Sequence, residues 1–309
     1  MARIKVAKGA RPDLATEIGD YLIACRSRGV KPSTIKHSYG YSLHAVLLPW
    51  CREQDITSVA DIDQGTLERF AADIRDRLTR SGAPLSDNTV KTYHKAANQL
   101  LKWYADEHAA VAPKVTLHKV PGRKVDTLER DQIALLERTA ATERDRVIIR
   151  LLADTGMRPG ELISITKGDL RHVGRRHYVR IGGKADERDV PITGEMYDRL
   201  RALARGDDND PIFVGLRRNR RTGEREGLTV PGVRQMVGAL AIDAGVRKVV
   251  NPYVLRHSAC RWLLMSGQST IVVEKIMGHG SEAMIREHYN NLGSDDAHDR
   301  LMEVLRAER

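Results

Sequence analysis

Along roughly the first hundred positions, apolar residues recur at intervals of three and four, the spacing that gathers them on one face of an α-helix. Leu14, Ile18, Leu22 and Ile23 predict a helix over residues 14–28, stopped by Gly29. Ile35, Tyr39, Leu43, Val46, Leu47 and Trp50 predict a second, entered through Lys31-Pro32-Ser33, with the Ser33 hydroxyl as the cap for an orphan backbone N–H. Leu67, Phe70, Ile74 and Leu78 mark a third over 64–80, closed by Ser81-Gly82-Ala83-Pro84. Val90, Ala97, Leu100, Leu101 and Tyr104 mark a fourth over 87–107. No strand-like alternation interrupts them, so residues 13–108 read as an all-α domain after a basic tail at 1–12.

The pattern lapses over residues 109–126, which carry prolines, lysines and a glycine and read as an extended basic linker. Helices are expected again at 129–140 and 143–154. Gly156 ends the latter, and Pro159 opens a short helix at its favoured first position. Two strands, 177–181 and 188–192, flank Gly182-Gly183-Lys184-Ala185-Asp186, a hairpin tip. Helices follow at 195–204 and 231–244, joined through the arginine-rich loop GLRRNRRTGEREG. Asn251-Pro252 opens a helix that Gly267 ends, another runs over 269–277 to Gly278, and Leu301, Val304 and Leu305 make 295–309 amphipathic. The fold class is therefore mainly α with a small β-sheet: a four-helix N-terminal domain, then an α+β domain over 127–309.

Composition narrows the partner. In 309 residues the formal net charge is +10, which favours a polyanion, and with arginine spread along the chain, nucleic acid. Aromatic residues make up only 5%, too few for a single-strand stacking platform. Cys25, Cys51 and Cys260 show no metal-ligand spacing, and their odd number argues against a disulfide framework. That points to a reducing cytoplasm, where the chain would be nucleoid-associated. The basic N-terminus lacks the apolar core of a secretory signal, and no apolar run approaches the ~18 residues that would cross a bilayer.

Candidate chemistry collects in the second domain. In TGMRPGEL, Arg158 stands beside a helix N-terminus, where a guanidinium and backbone N–H groups can share an anion, although a surface arginine at a turn would look the same. Lys184 at the hairpin tip could donate a proton in a desolvated, cationic setting, or be a solvated charge. Asn251 to Asn291 contributes Tyr253, Arg256, His257, His279 and Tyr289. Two arginines can clamp the nonbridging oxygens of a phosphodiester, a histidine can donate to another, a tyrosine hydroxyl can attack phosphorus, and a lysine can protonate the leaving oxygen. That set transfers a phosphoryl group through a phosphotyrosine without a metal or other cofactor. A metal hydrolase on His257, His279 and His288 lacks carboxylates at ligand spacing.

TGMRPGEL, the GGK hairpin with RDVPI, YVLRHSAC, IMGHGS and HYNN stand in the order seen in tyrosine recombinases, or phage-type integrases, and residues 127–309 resemble that family's catalytic domain. The N-terminal helices resemble its SAM-like core-binding domain by pattern and position. The resemblance implies a simple, Xer-length, site-specific DNA recombinase of integrase or resolvase type that works through a 3′-phosphotyrosine and a Holliday junction. It makes Arg158 and Arg256 the catalytic arginines, Lys184 the general acid, His279 a phosphate donor and Tyr289 the nucleophile. Glu161 and Asp169 match acidic positions that brace the domain. It also implies double-stranded DNA with specific core sites as partner and a homotetramer joined by exchange of the C-terminal helix, leaves accessory proteins open, and implies no membrane.

Two departures from the family pattern stand out. Tyr253 occupies the position, three before the second arginine, where the family usually has His or Lys; a phenol ionises near pH ~10 and is a poor base at neutrality. It shares a helical face with Arg256, whereas His257 points a quarter-turn away. His279 and Tyr289 are ten positions apart, against the usual nine. Tyr253 is the best support for an alternative, a non-catalytic DNA-binding protein on a recombinase scaffold. A type IB topoisomerase or hairpin telomere resolvase would share the catalytic residues but not the product.

Overall fold

A computed structural model of the chain describes residues 12–116, 126–182, 187–218, 221, 223, 225–278, 285 and 302. The chain divides into two compact units, Met1–Pro121 and Gly122–Arg309, each with its own apolar core.

In the first unit, α1 (Leu14–Ser27) begins with Asp13 accepting the Thr16 N–H at 2.8 Å. Its buried Glu17 accepts from the Ser58 hydroxyl and the Val59 N–H, tying the helix to a short 3₁₀ turn at Val59–Asp61. The next helix, α2 (residues 32–53), winds as π-helix over Ile35–Gly40 and Ser42–Leu47. Pro32 holds its first helical position, so Lys31 is the cap residue; Ser33 lies inside the first turn and makes no cap bond, contrary to the sequence expectation. α3 (Gln64–Asp76) stops four residues short of the expected end, because Leu78 is 57% exposed and belongs to a bridge with Pro84 rather than to the buried face. α4 (Asp87–His108) supplies the spine, with Ala96, Ala97 and Leu100 wholly buried. The start of the stretch read as linker lies along this unit: Lys114 exchanges hydrogen bonds with the Gln64 amide, and Val115 with the Asn98 amide.

In the second unit, α5 (Arg130–Thr139) and α6 (Glu143–Thr155) lead to Gly156, whose φ of +62° ends α6 in the left-handed region, and to α7 (Pro159–Ser164). The sheet has three antiparallel strands in order: β1 (Leu170–Val173), β2 (Arg176–Ile181) and β3 (Arg188–Ile192), with Val179 paired to Val190. α8 (Gly194–Leu203) follows. The arginine-rich loop is in fact a two-stranded ribbon, β4 (Val214–Arg218) and β5 (Arg225–Gly227). α9 (Val230–Asp243), α10 (Pro252–Met265) and α11 (Thr270–Met277) complete the described elements. The wholly buried side chains of Leu128, Leu136, Val147, Ile148, Leu152, Leu162, Val179, Val190, Phe213, Val237 and Leu255 form one core. Each is worth about 1.5–3 kcal/mol relative to exposure. A satellite of Cys260, Leu264, Val273, Met277 and Ile285 joins α10 to α11. The expected C-terminal helix 295–309 lies outside the described residues apart from Met302.

Candidate active site

The site is built where the ends of two helices meet the starts of a strand and a helix. Gly156 closes α6, and a Cβ there would lie 2.8 Å from Met277 Cε and 3.2 Å from Ala259 Cβ, so the turn packs directly on α10 and α11. Arg158, two residues on, caps α7. Its backbone N–H donates to Glu161 Oε2 at 2.6 Å and its Nη1 to Glu161 Oε1 at 3.0 Å. From β3, Arg188 makes a two-pronged pair with the same carboxylate, Nη1 to Oε1 at 3.0 Å and Nη2 to Oε2 at 3.1 Å. Glu161 thus accepts four hydrogen bonds. Burial pushes its carboxyl up, but the hydrogen bonds from Arg188 and the Arg158 N–H, with both arginine charges, outweigh it and leave the pKa lowered.

Arg256 comes from the first turns of α10, which Asn251 caps by accepting the Tyr253 N–H at 2.9 Å and the Val254 N–H at 3.3 Å. It is 2% exposed. Its Nη1 donates to the carbonyls of Gly156 and, at 3.1 Å, Met277, so the guanidinium joins the end of α6 to the end of α11. Burial above all, and then the Arg158 charge, lower its pKa to about 10, with Glu161 opposing and Arg188 adding to the depression. The group still carries its charge at neutral pH.

Arg188 also grips the end of α11, with Nε to the Ile276 carbonyl at 3.1 Å and Nη2 to the Met277 carbonyl at 3.0 Å. The Met277 carbonyl therefore accepts from two arginines. Gly278 follows with φ +88°, and a Cβ there would sit 2.5 Å from Arg188 Nη1. Among the described residues, three arginines, Arg158, Arg188 and Arg256, gather around one carboxylate, Glu161. Oriented donors and an excess of positive over negative groups at a half-buried site suit a bound oxyanion such as a phosphodiester.

Of the residues singled out from sequence, Arg158, Glu161 and Arg256 come together. Tyr253, at the start of α10, is 55% exposed, while Arg256 three residues on is buried, so their shared helical face divides between solvent and interior. His257 is half-buried. Asp169 accepts from the Thr166 N–H and hydroxyl, both at 2.8 Å, fixing the turn ahead of β1. Lys184, His279 and Tyr289 lie outside the described residues. Sequence reasoning passed over Arg188. Its signal was strand parity: Arg188 shares the inward side of β3 with Val190, and a charge at an inward position needs a partner. Among the described residues, no three His, Cys, Asp or Glu side chains cluster so as to hold a metal ion.

The profile of the Phage integrase family matches residues 126–295. A similar curated protein is tyrosine recombinase XerC 2 of Ralstonia nicotianae, 28% identical over 251 residues, which span 74% of this chain and 69% of that protein. Among solved structures, a XerH site-specific recombinase bound to palindromic difH substrate, in a post-cleavage complex, superposes with a TM-score of 0.67 at 20% identity, covering 88% of this chain and 81% of that one. A lambda integrase from a tetramer bound to a Holliday junction gives 0.66 at 17%, covering 89% and 77%. At these identities the two structures establish a common fold.

Proposed function

This chain belongs to the phage integrase family, and from that membership we propose that it is a site-specific DNA recombinase, a strand transferase that cuts and rejoins duplex DNA through a tyrosine. The observation that carries the reading is the cationic cluster around Arg256: a buried guanidinium, braced by two carbonyls, beside Arg158 and Arg188, with Glu161 the one carboxylate among the described residues of the cluster. A scissile phosphate between Arg158 and Arg256 supplies the missing anion and draws their donors to its nonbridging oxygens.

Tyr289 attacks the phosphorus, its phenolic proton passing to solvent. As its oxygen bonds, the bond from phosphorus to the 5′-oxygen breaks, and Lys184 gives that oxygen a proton. His279 donates a hydrogen bond to a nonbridging oxygen. The products are a 3′-phosphotyrosine and a free 5′-hydroxyl. A 5′-hydroxyl from a second duplex reverses the step, restoring the phosphodiester and releasing the tyrosine. Tyr253 hydrogen-bonds the phosphate or the nucleophile and does not act as the base. Exchange of one strand pair leaves a Holliday junction, resolved by the second pair in a homotetramer whose C-terminal residues 295–309 dock on neighbouring protomers. The first unit contributes further DNA contacts at the core site, and the work is done at the cytoplasmic nucleoid.

The test is a duplex carrying a selected binding site, nicked next to the cleavage point so that the cut fragment diffuses away. The wild type is expected to accumulate a protein–DNA adduct that survives denaturation, and Tyr289→Phe none. With two intact sites, Holliday junctions mark recombination. Adducts that lead only to relaxation would move the chain to the topoisomerase reading, and binding without any adduct would leave a DNA-binding protein.

A further inference from the structure

We propose that Arg188 is a positioning residue for strand cleavage: through Glu161 and the carbonyls of Ile276 and Met277, it holds Arg158 and Arg256 in register with each other. The inference rests on the recombinase reading and concerns how that site is held in register.

Arg188 is 14% exposed and makes four hydrogen bonds, two to one carboxylate and two to successive carbonyls at the end of α11. Only a planar fork serves both sets at once; a lysine ammonium on the same stem cannot span them. One end of the network fixes Glu161, which orients the Arg158 guanidinium and backbone. The other end fixes Met277, whose carbonyl is also a ligand of Arg256. Both phosphate-binding arginines are thereby referred to a single guanidinium, which itself donates to the last two carbonyls of α11. Gly278 is folded against it, at a separation that leaves no room for a Cβ. The position of the sheet is in this way transmitted to Arg158 and Arg256.

Three measurements separate positioning from bulk stability: single-turnover cleavage of the nicked duplex, its pH dependence, and DNA affinity. Arg188→Gln is expected to slow cleavage by about 10- to 100-fold, as for the loss of a charge-assisted bond, with affinity within about threefold of the wild type. In this variant nothing from Arg188 opposes the burial of Glu161, so its carboxyl takes a proton at higher pH. The acid limb of the rate profile should move to higher pH. Adding Glu161→Gln should abolish that movement and cost less than the product of the two single losses. Arg188→Lys should fall between the wild type and Arg188→Gln, and it decides the matter if Arg188→Gln does not fold. Cleavage at the wild-type rate in a folded variant, or a slower rate with an unmoved acid limb, would overturn the positioning role. A wild type that binds the site but forms no adduct would instead sink the recombinase reading, and this inference with it.

Discussion

Glu161 shows how one side chain organises a site it does not belong to chemically. Its four donors hold its pKa below the ordinary carboxylate value of 4.5, against the pull of burial. A carboxyl lowered on folding contributes stability that is complete above its unfolded value and disappears as the pH falls through its folded one. Glu161→Gln should therefore cost about 2–3 kcal/mol at pH 7, where two arginines lose their counter-charge. The deficit against the wild type should shrink below about pH 4. Denaturant midpoints at the two pH values check this, and a deficit independent of pH would show that the charge is not the cause. Tyr253 raises a different question, since it is over half exposed and adjoins a buried catalytic candidate. Tyr253→Phe is expected to slow cleavage several-fold, by roughly the worth of one hydrogen bond, while leaving the DNA dissociation constant nearly unchanged. An unchanged cleavage rate would remove Tyr253 from the chemistry.

Among the elements, α11 matters more than its eight residues suggest, because its last two carbonyls are where Arg188 and Arg256 converge. Gly278 closes it with φ +88° against the Arg188 guanidinium. In Gly278→Ala, both the backbone strain and the contact disfavour the native turn, so a loss of about 1–3 kcal/mol and a larger fall in cleavage than in DNA binding are expected. Thermal melting and the nicked-duplex assay together would show it. The helices of the second unit were legible because their stops and starts are chemical: Gly156 in the left-handed region, Pro159 at a first position, and Asn251 as a cap. The strands that escaped notice lacked the alternation that announces a strand. β1 is exposed at three of its four positions, and β4 and β5 are rich in arginine. In α2, Ile35, Tyr39, Leu43, Val46, Leu47 and Trp50 located the helix, but intervals of three and four do not mark the π turns at Ile35–Gly40 and Ser42–Leu47.

At the scale of the molecule, the net charge of +10 points to nucleic acid and the ordered motifs to a DNA strand transferase. Family membership and the arginine cluster are in keeping with that reading. What the sequence could not display was the mutual arrangement of groups far apart along it. Arg158, Arg188, Arg256 and Met277 meet only because the ends of α6 and α11 and the starts of β3 and α10 come to one place, and Arg188 carried no motif role to draw attention to it. The central claim, that Tyr289 takes the DNA strand, is tested most directly by digesting the trapped adduct with protease and nuclease and identifying the modified peptide and its linkage by mass spectrometry. The account predicts a nucleotide joined through its 3′-phosphate to the peptide containing Tyr289. A nucleotide on any other peptide, that of Tyr253 included, or a 5′-phosphate linkage, would contradict it.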